Sequence, residues 1–176
     1  MRIMETRIQG VYVIDIEPRS DERGFFARCW DIDQLRDAGL DTDLHLSAIT
    51  FNPTKGTLRG MHFQAPPFAE TKFVRVTRGA IFDVAIDLRK DSSTYMQWYG
   101  QVLSAENRRQ LYIPKGCAHG YLTLEADSEL TYFLSAPFSA DHARGVRYND
   151  ARFGIEWPGE VKLISQRDAN YPDYTE

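Results

Sequence analysis

The chain has 176 residues and a formal net charge of −4, from 21 Lys and Arg against 25 Asp and Glu. One domain with its own core is expected at that length, and an acidic chain without a basic run is a poor binder of nucleic acid. With 43% apolar and 26% charged residues it is too apolar for disorder. No membrane-length apolar run and no secretory signal are visible. Two cysteines, Cys29 and Cys117, fit a reducing cytoplasm better than a disulfide framework.

Short alternating segments between Gly, Pro, Asn and Asp punctuate the chain and predict an all-β sandwich or barrel, with no repeat and no linker. Val11–Glu17 alternates, as does Phe25–Trp30 after the turn-like Ser20–Gly24. Asp31–Ala38 predicts the main helix, with Asp31 as N-cap and Gly39 closing it. Strands are expected over Thr71–Thr77, Ile81–Leu88, Gln97–Leu103, Gln110–Ile113 and Leu130–Leu134, and a second short helix near Ala105–Arg109. The C-terminal Arg167–Glu176 is polar and contains proline, and it predicts a loop or a strap across the body.

Two segments carry chemistry. The first is Gly56-Thr-Leu-Arg59-Gly-Met-His62-Phe-Gln64, followed by Glu70-Thr-Lys72; the second is Pro114-Lys-Gly-Cys-Ala-His119-Gly120. Residues i and i+2 of a strand share a face, so His62 and Gln64 point the same way. A Pro-Lys-Gly turn presents His119 to the same interior. Arg59 and His62 have opposite parity, so both reach one site only if Gly60 forms a bulge. Lys72 shares parity with Val74 and Val76 and faces inward only on a mixed face.

These two segments resemble the paired motifs of the cupin superfamily, a double-stranded β-helix or jelly-roll barrel. Arg59-Gly-Met-His62-Phe-Gln64, Thr71-Lys72-Phe-Val-Arg-Val, Phe82-Asp83-Val-Ala-Ile-Asp87, Pro114-Lys-Gly-Cys-Ala-His119-Gly-Tyr, Ile155-Glu-Trp-Pro158, Asp21-Glu-Arg23-Gly-Phe-Phe26 and Ser165-Gln-Arg167-Asp168 resemble, in order, the dTDP-4-dehydrorhamnose 3,5-epimerase family. The resemblance spans nearly the whole chain, taken as one domain over 1–176. It implies a cytoplasmic homodimeric isomerase that inverts carbon 3, carbon 5 or both of a nucleotide-linked 4-keto-6-deoxyhexose, in deoxysugar biosynthesis, without a cofactor or metal.

By the same resemblance His62 is the base, Asp168 its partner, Tyr132 the acid on the opposite ring face and Lys72 the cation beside the ketone oxygen. Arg23, Phe26, Arg28, Arg59, Gln64, His119, Phe138 and Arg167 match substrate-binding positions, with Arg23, Arg59, His119 and Arg167 expected around the diphosphate. The chemistry suits these types. Hydrogens next to a ketone become acidic only when the enolate is stabilised, and a neutral imidazole accepts a proton readily near pH 7.

The chain departs from the family pattern at Arg28, where a glutamate is usual, at Ser47-Ala48-Ile49, at Phe138 and at Ala143. A CDP- or GDP-linked sugar, and epimerisation at one carbon only, are therefore alternative expectations. A metal-dependent cupin oxygenase with His62, Glu70 and His119 as ligands is a rival of another class; a 3,4-ketoisomerase and a sugar-binding cupin without turnover are the others. Taken singly, each candidate has a structural role open to it. His62 could be a satisfied polar residue, Lys72 an edge residue, Asp168 a turn residue and Tyr132 a packing residue. Asp83 and Asp87 read as structural residues of an apolar strand.

Overall fold

A computed structural model describes residues 1–175. The strands are β1 (Arg2–Glu5), β2 (Tyr12–Asp15), β3 (Arg19–Asp21), β4 (Gly24–Phe26), β5 (Leu46–Asn52), β6 (Thr57–Gln64), β7 (Lys72–Arg78), β8 (Ala80–Asp87), β9 (Trp98–Ser104), β10 (Gln110–Ile113), β11 (Cys117–Thr123), β12 (Ser128–Leu134), β13 (Ala143–Gly145) and β14 (Leu163–Ile164). Two short helices, α1 (Ile32–Asp37) and α2 (Gln166–Ala169), complete the set. One sheet runs β1-β2-β10-β7-β12-β5; the other runs β13-β6-β11-β8-β9, with β14 parallel to β6. This is the expected jelly roll.

Alternation explains the layers. Val74, Val76, Leu111, Ile113 and Leu130 of the first sheet meet Ile81, Ala85, Leu103, Cys117 and Tyr121 of the second in one core. The opposite parity of β7 and β10, Phe73 and Tyr112, packs outward with Leu35 of α1. On the second sheet the outward residues Val84, Ile86 and Ala118 lie under Val146 and Phe153. Each sheet is thus covered on both faces, which is why so many strands read as nearly continuous apolar runs. Asp87, fully buried, has its carboxylate filled by Arg89 N (3.0 Å), Arg89 Nε (2.8 Å), Ser92 Oγ (2.5 Å) and Thr94 Oγ1 (2.7 Å).

Two local expectations need correction. Ala105–Arg109 is not a helix. The Asn107 side chain accepts from Ser104 N and Arg109 N at 3.0 Å each, and Arg108 has φ of 56°, so the segment closes as a tight turn. Phe25–Trp30 is not a long strand either: only Gly24–Phe26 pairs, with β3, as an exposed two-stranded ribbon. α1 forms as expected, with Asp31 accepting from Gln34 N and Gly39 at φ of 74° past its end.

Candidate active site

Between the sheets a cavity of about 320 Å³ is lined by Arg59, His62, Gln64, Lys72, His119, Tyr132, Phe138 and Arg167, with Glu70, Tyr121 and Ala143 among its further walls. Volumes of this order suit a sugar-sized ligand. The bulge expected in β6 is what lets it form. His119 pairs with His62 but Tyr121 pairs with Arg59, so β6 carries one residue more than β11 over the same span. Gly60, at φ of 136°, takes up that residue, and a Cβ there would stand 2.5 Å from the Gly120 Cα. Two glycines facing each other let the strands approach and turn Arg59 and His62 into one space.

The last helix supplies the partner of His62. Ser165 caps α2 by accepting from Asp168 N, which directs the Asp168 carboxylate back at β6. One of its oxygens lies 2.8 Å from His62 Nε2; the other accepts from Gly60 N at 3.1 Å. Burial raises the Asp168 pKa, but the hydrogen bonds from His62, Gly60 and Ser165 outweigh it and hold the carboxyl below its usual range. An ionised Asp168 then fixes the tautomer with hydrogen on Nε2 and leaves Nδ1 as the basic atom.

Tyr132 comes from β12, its ring centroid 6.0 Å from that of His119. Burial, then the neighbouring Tyr121 hydroxyl, pushes its pKa well above the ordinary phenol value, so it holds its proton throughout the neutral range. Lys72, buried at the start of β7, forms an ion pair with Glu70. Burial draws its pKa down and the Glu70 charge opposes this. The inward face of β7 is thus mixed, lysine at one end and Val74 and Val76 in the core at the other.

Other positions fall differently. Gln64 is a strut: its Nε2 donates to Phe68 O, Glu70 Oε2 and Pro137 O, and its Oε1 accepts from Ser139 N. Arg23 and Phe26 sit on the exposed β3–β4 ribbon, and Arg28 pairs with Asp31 at 2.7 Å; none of the three lines the cavity of its own chain. The charge inversion expected of Arg28 is therefore not built into that cavity. His62, Glu70 and His119 are each bonded within the site: His62 Nε2 to Asp168, His119 Nε2 to Asp83, and Glu70 to Lys72 and Gln64. Among the described residues no group of three His, Cys, Asp or Glu is arranged to hold an ion.

Sequence reasoning gave Asp83 only a structural role and missed Asn52. Asp83 is fully buried with one oxygen 2.6 Å from His119 Nε2 and the other unpaired, and burial raises its pKa. A carboxylate on the inward parity of an apolar strand was the available signal. Asn52 joins Arg59 Nε (2.8 Å) to the Tyr121 hydroxyl (3.2 Å), and nothing local marks it.

Residues 5–176 match the family model described as dTDP-4-dehydrorhamnose 3,5-epimerase. A relative of that name from Sinorhizobium fredii is 42% identical over 92% of this chain and 84% of its own. The Bacillus anthracis enzyme of that name, crystallised with TDP and PPi bound, is 38% identical, with a TM-score of 0.94 over 98% of this chain and 99% of that one. A 4-keto-6-deoxy sugar epimerase from the novobiocin gene cluster of Streptomyces spheroides is 33% identical, with a TM-score of 0.92 over 98% and 87%. With a jelly roll in common and likeness along almost its full length, the chain belongs to the dTDP-4-dehydrorhamnose 3,5-epimerase family, isomerases that epimerise nucleotide sugars.

Proposed function

We propose that this single-domain enzyme abstracts a proton beside the carbon 4 ketone of a dTDP-linked 4-keto-6-deoxyhexose with His62 Nδ1 and returns one to the opposite ring face from Tyr132. The supporting observation is that His62, Tyr132 and Lys72 line one cavity, with Asp168 at 2.8 Å behind the base. Electrons from the broken C–H bond move onto the ketone oxygen. Lys72 offsets that charge, and a fixed cation in a site poor in water is worth several kcal/mol, on the order of 3. Asp168 stabilises the imidazolium formed at the same moment. When the enolate collapses, the Tyr132 proton forms the new C–H bond with inverted configuration. The residues do this without a cofactor.

Arg59, Arg167 and His119, which line the same cavity, serve the diphosphate. Support for a thymidine nucleotide is the relative crystallised with TDP bound. The enzyme acts as a homodimer in the cytoplasm. Support for the dimer is apolar surface left open in one chain: Phe25 and Phe26 of the ribbon, 47% and 68% exposed, and, separately, Ile49 and Phe51 on edge strand β5. No helix of the described residues is long and apolar enough to cross a membrane.

The test is incubation with a dTDP-linked 4-keto-6-deoxyhexose in deuterated water. Wild type takes up deuterium at carbon 3, carbon 5 or both, which reads the regiochemistry directly. His62→Asn abolishes uptake at both positions, while Tyr132→Phe lowers inversion by about 10²-fold or more and wash-in by less. Wild-type exchange in both variants overturns the two-face mechanism, and equal turnover of CDP- or GDP-linked sugars overturns the nucleotide.

A further inference from the structure

A single hydrogen bond to Asp168 fixes one atom of the His62 ring but not its plane, because the terminal ring torsion of histidine is broad. Something else must hold the imidazole so that Nδ1 faces the cavity. The segment after α2 carries a candidate. Tyr171 lies with its ring centroid 6.0 Å from that of His62 and its plane at 70°, an edge-to-face contact. Its seat is Gly145, the residue opposite His62 in the β6–β13 pairing, where any Cβ would overlap the tyrosine ring. The Arg167 guanidinium flanks it at 5.8 Å from the ring centroid.

The Tyr171 hydroxyl is buried beside the Arg167 side chain and makes no hydrogen bond of good geometry. The contact with His62 is made by the ring, so the ring, not its polar tip, is what this position uses. Beyond Tyr171 the chain is fastened again. Asp173 pairs with Arg147, and Tyr174 N donates to Asp150 Oδ2 at 2.6 Å. With the Ser165 cap before it and these bonds after it, Tyr171 is held from both sides.

We propose that Tyr171 is a positioning residue for the His62–Asp168 pair: seated on Gly145, its ring walls the imidazole edge-on and keeps Nε2 on Asp168 and Nδ1 toward substrate. This rests on the assignment of His62 as the base. Misplacing a reacting group by about 1 Å can cost 10²-fold in rate. Tyr171→Ala in the full chain, assayed by deuterium wash-in with a dTDP-linked 4-keto-6-deoxyhexose, therefore lowers kcat by about tenfold or more with KM within about twofold. Tyr171→Phe restores the rate, because the ring that walls the imidazole is kept. Tyr171→Leu fills the seat without a flat edge, keeps the fold and is as slow as the alanine variant, which decides the matter if alanine unfolds the strap.

A change confined to KM, a phenylalanine variant as slow as alanine, or a leucine variant at the wild-type rate overturns the proposal. His62→Asn in the same assay separates the failures. If it keeps exchanging, the base assignment is wrong; if it is dead while the alanine and leucine variants run at full rate, only the positioning role is wrong.

Discussion

Lys72 shows how one charge is kept useful inside a barrel. Desolvation works against the ammonium, and Glu70 is the neighbour that restores it. Glu70→Gln removes the restoring charge, so Lys72 gives up its proton at lower pH than in the wild type. The alkaline limb of the kcat profile then moves toward neutrality, and at pH 9 the variant is slower by on the order of tenfold. An unmoved limb would show that Glu70 does not sustain the cation. Lys72, His62 and Asp168 were legible as candidates because each stands in a recognisable string, and Tyr132 by its match within the strand Leu130–Leu134. Glu70 was legible only as a conceivable ligand. Its salt bridge depends on the bend between β6 and β7, which alternation does not encode. The partner of Asp83 and the place of Tyr171 were hidden for the same reason, since one lies 36 residues away and the other depends on a strand pairing.

β6 is the element on which the site turns. Parity alone demanded an irregularity at Gly60, and the β6–β11 register contains it. Gly60→Ala asks an L-residue to adopt φ of 136° and to place a methyl 2.5 Å from the Gly120 Cα. Stability falls by about 2 kcal/mol or more, and activity falls further than stability because Arg59 and His62 no longer converge. Thermal denaturation beside the wash-in assay measures both; a variant that melts and turns over like wild type removes the bulge from the account. The two misread elements failed for different reasons, one where side chains substituted for backbone and one where a strand partner ran out. Asn107 supplies turn hydrogen bonds that mimic a helical start. The ribbon after Gly24 ends early because residues past Phe26 have no partner strand.

Across the whole molecule the Asp87 cluster fastens the loop after β8 to the segment before β2, since Arg89 also bonds Gln9 O and Ser92 bonds the Gln9 side chain. Burial raises the Asp87 pKa, but donors from Arg89, Ser92 and Thr94 prevail and it lies below the usual value. A depressed carboxylate stabilises above its unfolded pKa of about 3.9 and ceases to do so as pH falls through the folded value. Asp87→Asn therefore lowers Tm at pH 7 by roughly 6–12 °C, corresponding to about 3 kcal/mol. The gap from wild type narrows below about pH 4. A gap independent of pH would assign the loss to packing instead. The double-sheet architecture was readable from alternation and motif order, and the C-terminal strap from its polar, proline-containing composition, whereas its anchors at Asp150 and Arg147 were not, because they are irregular backbone and surface charge. Asp168 sits where these scales meet, one oxygen finishing the backbone of a bulge and the other steadying an imidazole. Mutational drift at that codon is consequently hemmed in twice: asparagine keeps the shape and forfeits the charge, glutamate keeps the charge and overshoots the shape, and no third residue serves both masters.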